Sequence, residues 1–223
     1  ARGMAHEINN PLNVILNYAE IIGDGLGADA ARQGDLQELK NAAERIRKVV
    51  QAMLRFSEPD SVHMTPTRLD VPVEQVADLL RAELDSQGID LVIDLPPELP
   101  QVRVRRRQIE QVLISLIQNA MEAMVDAPHH RITLTGQVVE RMGLHWVRLS
   151  VKDDGAGIPA SDLERVFDPF FTTRSRHRHA GLGLTVALGT VRAHQGELTI
   201  DSAEGAGTTV HVDLPAWEKR RQA

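Results

Sequence analysis

Residues 151–159 read Val-Lys-Asp-Asp-Gly-Ala-Gly-Ile-Pro, a strand-like run that ends in a carboxylate and enters a loop with two glycines. Because Gly155 and Gly157 lack a Cβ atom, the backbone of this loop can come close to a ligand. The carboxylate of Asp153, at the end of the strand, can accept a hydrogen bond from an exocyclic amine such as that of adenine. An ordinary Asp-Gly turn explains these residues equally well, so the surrounding sequence has to decide.

The sequence on both sides of this loop predicts an α+β domain. Helical spacing of apolar residues and apolar–polar alternation assign most of residues 73–214 to helices and strands. The predicted helices cover 73–84, 107–124, 160–166 and 181–194, and the predicted strands cover 89–95, 131–140, 145–153, 197–202 and 208–214. Helices combined with antiparallel strands indicate a layered α+β structure.

The predicted helix over 107–124 carries polar residues beside its apolar stripe. Ser115, Asn119 and Glu122 share one polar stripe, and Asn119 lies nearest the apolar border. An amide oxygen at the rim of a core can ligate a hard cation, and Mg²⁺ takes few protein ligands when phosphate and water supply the others. The alternative is that Asn119 is an ordinary polar residue on a helix surface, which is the more frequent situation.

Two further glycine-rich segments follow. Residues 181–184, Gly-Leu-Gly-Leu, open a predicted helix, where free N–H groups and the positive helix end favour phosphate. Residues 204–209, Glu-Gly-Ala-Gly-Thr-Thr, join two predicted strands and by themselves indicate a hairpin turn. Neither segment is specific on its own.

The N-terminal part of the chain predicts two helices that pack in a dimer. Apolar residues recur at helical spacing over 4–22, and Pro11 predicts a kink just after His6. Over 35–56 the apolar spacing alternates between three and four, which is the pattern of a coiled-coil seam. Two helices cannot bury this face between themselves, so a two-fold dimer forming a four-helix bundle is expected, with a monomeric hairpin as the alternative.

The composition excludes several classes of function. The chain has 223 residues and a net charge of -6, so no nucleic-acid partner is expected. It contains no cysteine, which excludes disulfides, thiolate zinc sites and cysteine nucleophiles and is typical of a reducing compartment. With no apolar run long enough for a membrane span and no visible signal peptide, we expect a cytoplasmic fragment of a longer protein whose own membrane anchoring is left open.

The order of these segments resembles that of the sensor histidine kinases of two-component systems. Six segments are similar to that family's sequence boxes, in the family's order, and the resemblance covers about residues 4–215. Residues 6–12, His-Glu-Ile-Asn-Asn-Pro-Leu, resemble the phosphoacceptor box, 111–124 the asparagine box, 153–158 the first glycine box, 167–174 the phenylalanine box, and 181–184 and 205–208 the second and third glycine boxes.

The resemblance implies a fold and an activity. The fold is an N-terminal α-helical hairpin, a four-helix bundle as a dimer, followed by an α+β two-layer GHKL/Bergerat-type ATP-binding domain. The implied bounds are 1–58 for the dimerisation and histidine-phosphotransfer hairpin, 59–67 for a linker, 68–216 for the ATP-binding domain and 217–223 for a tail. The implied activity is autophosphorylation from Mg-ATP, transfer to an aspartate on the receiver domain of a response regulator, and phosphatase action. An upstream sensor domain is expected outside this fragment.

The resemblance also implies residue roles. His6 is the nucleophile, Glu7 accepts its proton, and Asn10 orients water for hydrolysis of the regulator's phosphoaspartate. Asn119 ligates Mg²⁺, and Asp153 binds the adenine amine of ATP. The other implied nucleotide-binding residues are Glu122, Gly155, Gly157, Ile158, Thr172, Thr173, Arg174, Gly181, Leu182, Gly183, Leu184 and Thr208.

The sequence departs from the family pattern at two positions. Ser115 stands where many relatives have an asparagine, and His179 stands where the second glycine box often begins with glycine. These departures keep open a phosphatase or scaffold whose ATP site is inactive. A GHKL ATPase that does not phosphorylate itself is the other alternative, and the box around His6 argues against it. Two structural roles are predicted besides: Phe167, Phe170 and Phe171 pack the base of a lid loop, and arginines 103 and 105–107 form surface ion pairs.

Overall fold

The structure is a computed structural model of the chain. It describes residues 63–124, 130–172 and 181–217, together with residues 14–19, 21–22, 36–37, 39–40 and 43. The chain divides into two compact units, one of Ala1–Pro59 with Thr172–Leu182 and one of Asp60–Phe171 with Gly183–Ala223.

The larger unit contains helices and strands in the predicted order. Its strands are β1 (Thr65–Thr67), β2 (Asp90–Asp94), β3 (Val102–Val104), β4 (Arg131–Arg141), β5 (Leu144–Asp153), β6 (Glu197–Ser202) and β7 (Thr208–Pro215). Its helices are α1 (Asp70–Ser86), α2 (Arg106–Ala123), α3 (Ala160–Leu163) and α4 (Gly183–Ala193). The strand β3 is absent from the sequence prediction, because three residues between Pro100 and an arginine run are too few to show alternation.

The main sheet has the strand order β2-β4-β5-β7-β6. The antiparallel pairing that the sequence predicts is found between all neighbours except β2 and β4, which pair in parallel at one edge. A second, two-stranded sheet pairs Thr65 with Val104 and Thr67 with Val102. Residues 65–67, which the sequence pattern assigned to the linker, are therefore a strand.

The core lies between one face of the main sheet and the helices. Along β5, Val147, Leu149 and Val151 are buried and alternate with residues that point to the other face. The buried stripe of α2 includes Ile109, Leu113, Leu116, and Ile117, which belong to the same apolar cluster. The side chains of this cluster are aliphatic, as the aromatic content of 3% predicts.

The opposite face of the sheet carries a buried ion pair. Asp213 on β7 is 0% exposed, and its two carboxylate oxygens accept hydrogen bonds from Nε and Nη2 of Arg148 at 2.8 Å each. Arg141 adds a second guanidinium contact to Asp213 and also pairs with Glu197. The hydrogen bonds of Asp213 raise the pKa of Arg148 further, so the guanidinium stays charged.

A buried histidine joins the end of α4 to the start of α2. Nδ1 of His194 lies 2.8 Å from the Thr190 carbonyl oxygen, and the Arg105 N–H donates to Nε2 at 3.0 Å. These two contacts require the neutral ring with its proton on Nδ1. Burial lowers the pKa of His194, and the nearby charge of Arg105 lowers it too, against the opposing hydrogen bond to Thr190.

In the smaller unit, the described residues of the first two predicted helices are helical. Ala19 and Ala43 are buried, whereas Val14, Ile15, Tyr18, Ile21 and Ile22 are each about half exposed or more in the single chain. Among the residues that the structure describes, no helix has the length and apolar character needed to cross a membrane.

Candidate nucleotide-binding site

The glycine loop after β5 is packed against the end of α2. The Ala156 N–H donates to the Ala123 carbonyl oxygen at 3.0 Å. A Cβ atom at Gly155 would lie 2.6 Å from both the Cβ and the carbonyl oxygen of Ala123. No side chain fits there unless the backbone moves, so glycine is required at position 155 by the packing of the loop on the helix.

The other side of the loop is packed against the turn between β6 and β7. Gly157 has φ +69, and a Cβ atom there would lie 2.0 Å from the Ala203 carbonyl oxygen. The Gly205 N–H donates to the Ala156 carbonyl oxygen at 2.7 Å. The sequence suggested that these glycines let a ligand come close. In the structure, the atoms that come close to Gly155 and Gly157 belong to the protein itself, at Ala123 and Ala203.

This packing fixes the carboxylate of Asp153. The side chain is buried, and Oδ1 accepts the N–H of Gly155 at 2.9 Å and the N–H of Thr208 at 3.2 Å. Asp153 and Thr208 are also directly opposite each other in the β5–β7 ladder. A carboxylate held by backbone N–H groups is an oriented acceptor, which suits recognition of an amine.

Ser202 is a polar member of this site that the sequence reasoning missed. Its Oγ accepts the N–H of Ile158 at 2.9 Å, donates to the Gly207 carbonyl oxygen at 2.9 Å and lies 3.0 Å from Oγ1 of Thr208. A serine at the end of a strand has no spacing signal of its own. Only the pairing of β6 with β7, which puts Ser202 opposite Thr208, reveals the contact.

Asn119 lies on α2 one turn before Ala123 and faces the start of α4. A Cβ atom at Gly183 would lie 3.7 Å from the Asn119 Oδ1 and Nδ2 atoms and 2.6 Å from Oγ of Ser115. Asn119 and Glu122 are both partly exposed. The helix start that the sequence predicts to bind phosphate is therefore next to the amide that it predicts to bind a cation.

The phenylalanine segment is tied to α4 by a hydrogen bond from Oγ1 of Thr185 to the Phe167 carbonyl oxygen at 2.9 Å. Phe167 packs against the apolar core, and the Arg165 guanidinium lies 4.6 Å from the centre of the Phe171 ring. Phe170 differs from the prediction, because its side chain is 53% exposed and its backbone has φ 69. A bulky residue in the left-handed region is a strained exception.

The remaining predicted residues divide into three groups. Ile158 follows the glycine loop with its N–H on Ser202, and Leu184 packs against the core from α4. Thr172, Gly181 and Leu182 belong to the smaller unit. His6, Glu7, Asn10, Thr173 and Arg174 lie outside the described residues, as does His179.

The described donors fit a magnesium ion that is held mainly by its nucleotide. Within the described residues there is no group of three histidine, cysteine or acidic side chains that could hold a metal alone. One amide oxygen, from Asn119, combined with phosphate and water oxygens matches the coordination that Mg²⁺ prefers.

The arginines before and within the start of α2 line a separate cavity of about 660 Å³. Two arginines of the cavity wall have acidic partners: Arg106 pairs with Glu110 at 3.2 Å, and Arg68, before α1, pairs with Asp70 at 2.7 Å. The hydrogen bond from Arg68 also lowers the pKa of Asp70. Arg103 lies nearby and donates to the Met64 carbonyl oxygen at 3.3 Å. The predicted surface ion pair is confirmed for Arg106.

The sequence matches two protein families. Residues 104–218, more than half of the chain, match the family described as histidine kinase-, DNA gyrase B-, and HSP90-like ATPase. Residues 1–62 match the His Kinase A (phospho-acceptor) domain. The two matches follow the same order as the helical and ATP-binding segments that the sequence predicts.

Individual relatives agree with these matches. Sporulation kinase E of Bacillus subtilis (strain 168) is 28% identical over 222 residues, which are 100% of this chain and 29% of that protein. Signal transduction histidine-protein kinase AtoS of Escherichia coli (strain K12) is 32% identical over 213 residues, 96% of this chain and 34% of that protein. The chain thus spans about a third of the length of these relatives.

A solved structure shares the fold. The crystal structure of full-length ShkA in complex with AMPPNP superposes with a TM-score of 0.69 at 22% identity, covering 98% of this chain and 46% of that chain. The likeness supports an N-terminal helical hairpin followed by a GHKL-type domain, as the sequence predicts.

Proposed function

This chain belongs to the family of histidine kinase-, DNA gyrase B- and HSP90-like ATPases, and from that premise we propose that it is the catalytic core of a sensor histidine kinase. In this proposal the chain binds Mg-ATP, phosphorylates its own His6 and passes the phosphoryl group to an aspartate of a response regulator. The match of residues 1–62 to a phospho-acceptor domain supports His6 as the acceptor.

The observation that carries the proposal is that polar groups from β5, β7 and α2 lie side by side near the end of α2. Asp153 and Thr208 meet beside the end of this helix, and Asn119 faces the start of α4 one turn earlier on it. A hydrogen-bond acceptor for the adenine amine therefore lies beside the end of α2, and a helix start that can bind phosphate lies one turn earlier along α2. This order suits a nucleotide whose base contacts Asp153 and whose phosphates reach Gly183 and the N–H groups that follow.

The chemistry follows from these positions. Nε2 of His6 attacks the γ-phosphorus, the bond to the ADP oxygen breaks, and the Nδ1 proton passes to Glu7. Asn119 would hold Mg²⁺, which neutralises charge on the phosphates when it is bound. Phosphoryl transfer depends mainly on positioning and electrostatic stabilisation, which a pre-packed site supplies. In a separate phosphatase activity, Asn10 orients the water that hydrolyses the regulator's phosphoaspartate and releases inorganic phosphate.

The homodimer is supported by the exposed apolar residues of the first helix. Val14, Tyr18 and Ile21 share one side of it, and Ile15 and Ile22 flank them, which is a wider apolar face than a single chain covers. Light scattering measures the mass directly. Twice the chain mass of 24.6 kDa is expected, and a stable monomer would remove this part of the proposal.

Labelling with ATP that carries a radioactive γ-phosphate tests the kinase proposal. Wild type, His6→Gln and Asn119→Ala are compared, with His63→Gln as a matched control at an exposed histidine. Acid-labile, alkali-stable label is expected in wild type and in the control and in neither of the other two. ATP hydrolysis without protein label would instead identify a GHKL ATPase, and nucleotide binding with neither activity would identify a phosphatase or scaffold.

A further inference from the structure

Ser202 controls the direction of a hydrogen bond in the candidate site. We propose that it is a positioning residue for base specificity, which makes Thr208 a hydrogen-bond acceptor and so favours a 6-aminopurine over a 6-oxopurine. The inference rests on the proposed function, since it concerns the same nucleotide site. It adds a residue and a mechanism of selection to that site.

The hydroxyl group of Ser202 makes its full set of hydrogen bonds. A serine hydroxyl has one proton to donate and can accept two hydrogen bonds. The N–H of Ile158 donates to it at 2.9 Å, and it donates its own proton to the Gly207 carbonyl oxygen at 2.9 Å. The contact of 3.0 Å with Thr208 Oγ1 can then form in one direction only, with Thr208 as the donor.

Thr208 is left as a hydrogen-bond acceptor toward a ligand. Its side-chain proton is committed to Ser202, so only its lone pairs remain for a ligand. Thr208 is 8% exposed, and its backbone N–H is held by Oδ1 of Asp153. Asp153 contributes carboxylate oxygens, which are also acceptors. The two adjacent side chains therefore form a base-recognition surface that consists of acceptors.

Adenine and the 6-oxopurines differ in the group that they carry at C6. The exocyclic amine at C6 of adenine offers two N–H donors, whereas hypoxanthine and guanine carry an acceptor oxygen at C6 and have their donor at N1 instead. An oxygen at the position of the amine, against Asp153 and Thr208, would leave buried acceptors unpaired and facing each other. Sites built to bind a donor reject analogues that lack it, so the acceptor pair selects the amine.

The opposite direction of the hydrogen bond between Ser202 and Thr208 would cost the turn a hydrogen bond. If Ser202 donated to Thr208, the Gly207 carbonyl oxygen would lose the donor that Ser202 supplies. The turn cannot adjust easily, because Gly207 is buried with φ +79 and a Cβ atom there would lie 2.1 Å from the Asp153 carbonyl oxygen. The packed turn therefore keeps the proton of Ser202 on Gly207.

The test measures the affinities of Mg-ADP and Mg-IDP by calorimetry on the full chain. Inosine differs from adenosine at C6 and N1 of the base, so the ratio of the two dissociation constants reports the selection. Wild type is expected to prefer ADP, and Ser202→Ala is expected to reduce that preference roughly five- to tenfold, the value of about one hydrogen bond. Ser86→Ala is the matched control, because that exposed serine also donates to a backbone carbonyl, that of Glu83.

A double-mutant cycle separates positioning from general stabilisation. In a Thr208→Val background there is no hydroxyl to orient, so Ser202→Ala should leave the ADP-to-IDP ratio unchanged there. Ser202→Cys, a weaker hydrogen-bonding group of similar size, gives the same comparison should the alanine variant fail to fold. An unchanged ratio in Ser202→Ala or Ser202→Cys, or an equal change in both backgrounds, would overturn the inference and leave nucleotide binding intact. Failure of wild type to bind ADP would overturn the proposed function itself.

Discussion

Replacement of Gly155 by alanine tests whether loop packing builds the nucleotide site. The added Cβ would lie 2.6 Å from the Ala123 carbonyl oxygen, and ordinary contact needs about 3.5 Å, so the loop must move by roughly 1 Å. That movement lengthens the Ala156–Ala123 hydrogen bond, now 3.0 Å, beyond useful range. Overpacking of about 1–3 kcal/mol and a lost hydrogen bond of about 1 kcal/mol together predict a destabilisation of roughly 2–4 kcal/mol.

The expected result has two parts, which urea unfolding and ADP titration measure. Gly155→Ala should lower the free energy of unfolding of the larger unit and weaken ADP binding, because the displaced loop carries the N–H that orients Asp153. Gly88→Ala is the control: its φ is +67, nothing lies within 4 Å of the added Cβ, and it should cost about 1–2 kcal/mol while leaving ADP affinity unchanged. Wild-type ADP affinity in Gly155→Ala would refute the reasoning.

Two further predictions concern stability. The lowered pKa of His194 means that the unfolded chain binds a proton more readily than the folded one. The contribution of His194 to the free energy of unfolding is therefore fully present above the pKa that this histidine has in the unfolded chain. It is lost as pH falls from about 6.5 toward the lower pKa of the folded state. Unfolding free energies between pH 7.5 and about 5.5 should fall less steeply in His194→Gln than in wild type, and parallel curves would contradict this. Asp213→Ala removes the buried carboxylate that pairs with the partly buried Arg148 and leaves Arg141 with Glu197 alone, and it should cost about 3–5 kcal/mol. Glu197→Ala, whose side chain is 55% exposed, should cost less than about 1 kcal/mol. Thermal unfolding measures both variants, and similar losses of stability in the two would show that the burial of Asp213 is not the cause of the effect.

The sequence predicted most of the elements of the larger unit because their periodicity is strong. The buried stripe of α2 and the alternation along β5 are visible residue by residue. It missed β3 and the strand at 65–67, which are held by pairing with each other and have no pattern of their own. The edge strand β2 was predicted, but its parallel pairing with β4 was not, because alternation does not record the direction of the partner strand.

Single residues of the candidate site could be proposed from the sequence, whereas residues that act through a pair could not. Asp153 at a strand end and Asn119 at the edge of a buried stripe could be selected from the sequence alone. Ser202 could not, because its importance depends on hydrogen bonds to residues 44 and 6 positions away. The role of Gly155 was also read incompletely, since the sequence does not show that Ala123 occupies the space beside it.

The most direct measurement of the central claim is to locate the phosphoryl group. After incubation with Mg-ATP, tandem mass spectrometry under neutral conditions distinguishes His6 from the eight other histidines of the chain. The account predicts one phosphoryl group on His6 in wild type and none in Asn119→Ala. A phosphoryl group on another residue, or none on a chain that binds ATP and carries its upstream segments, would contradict it.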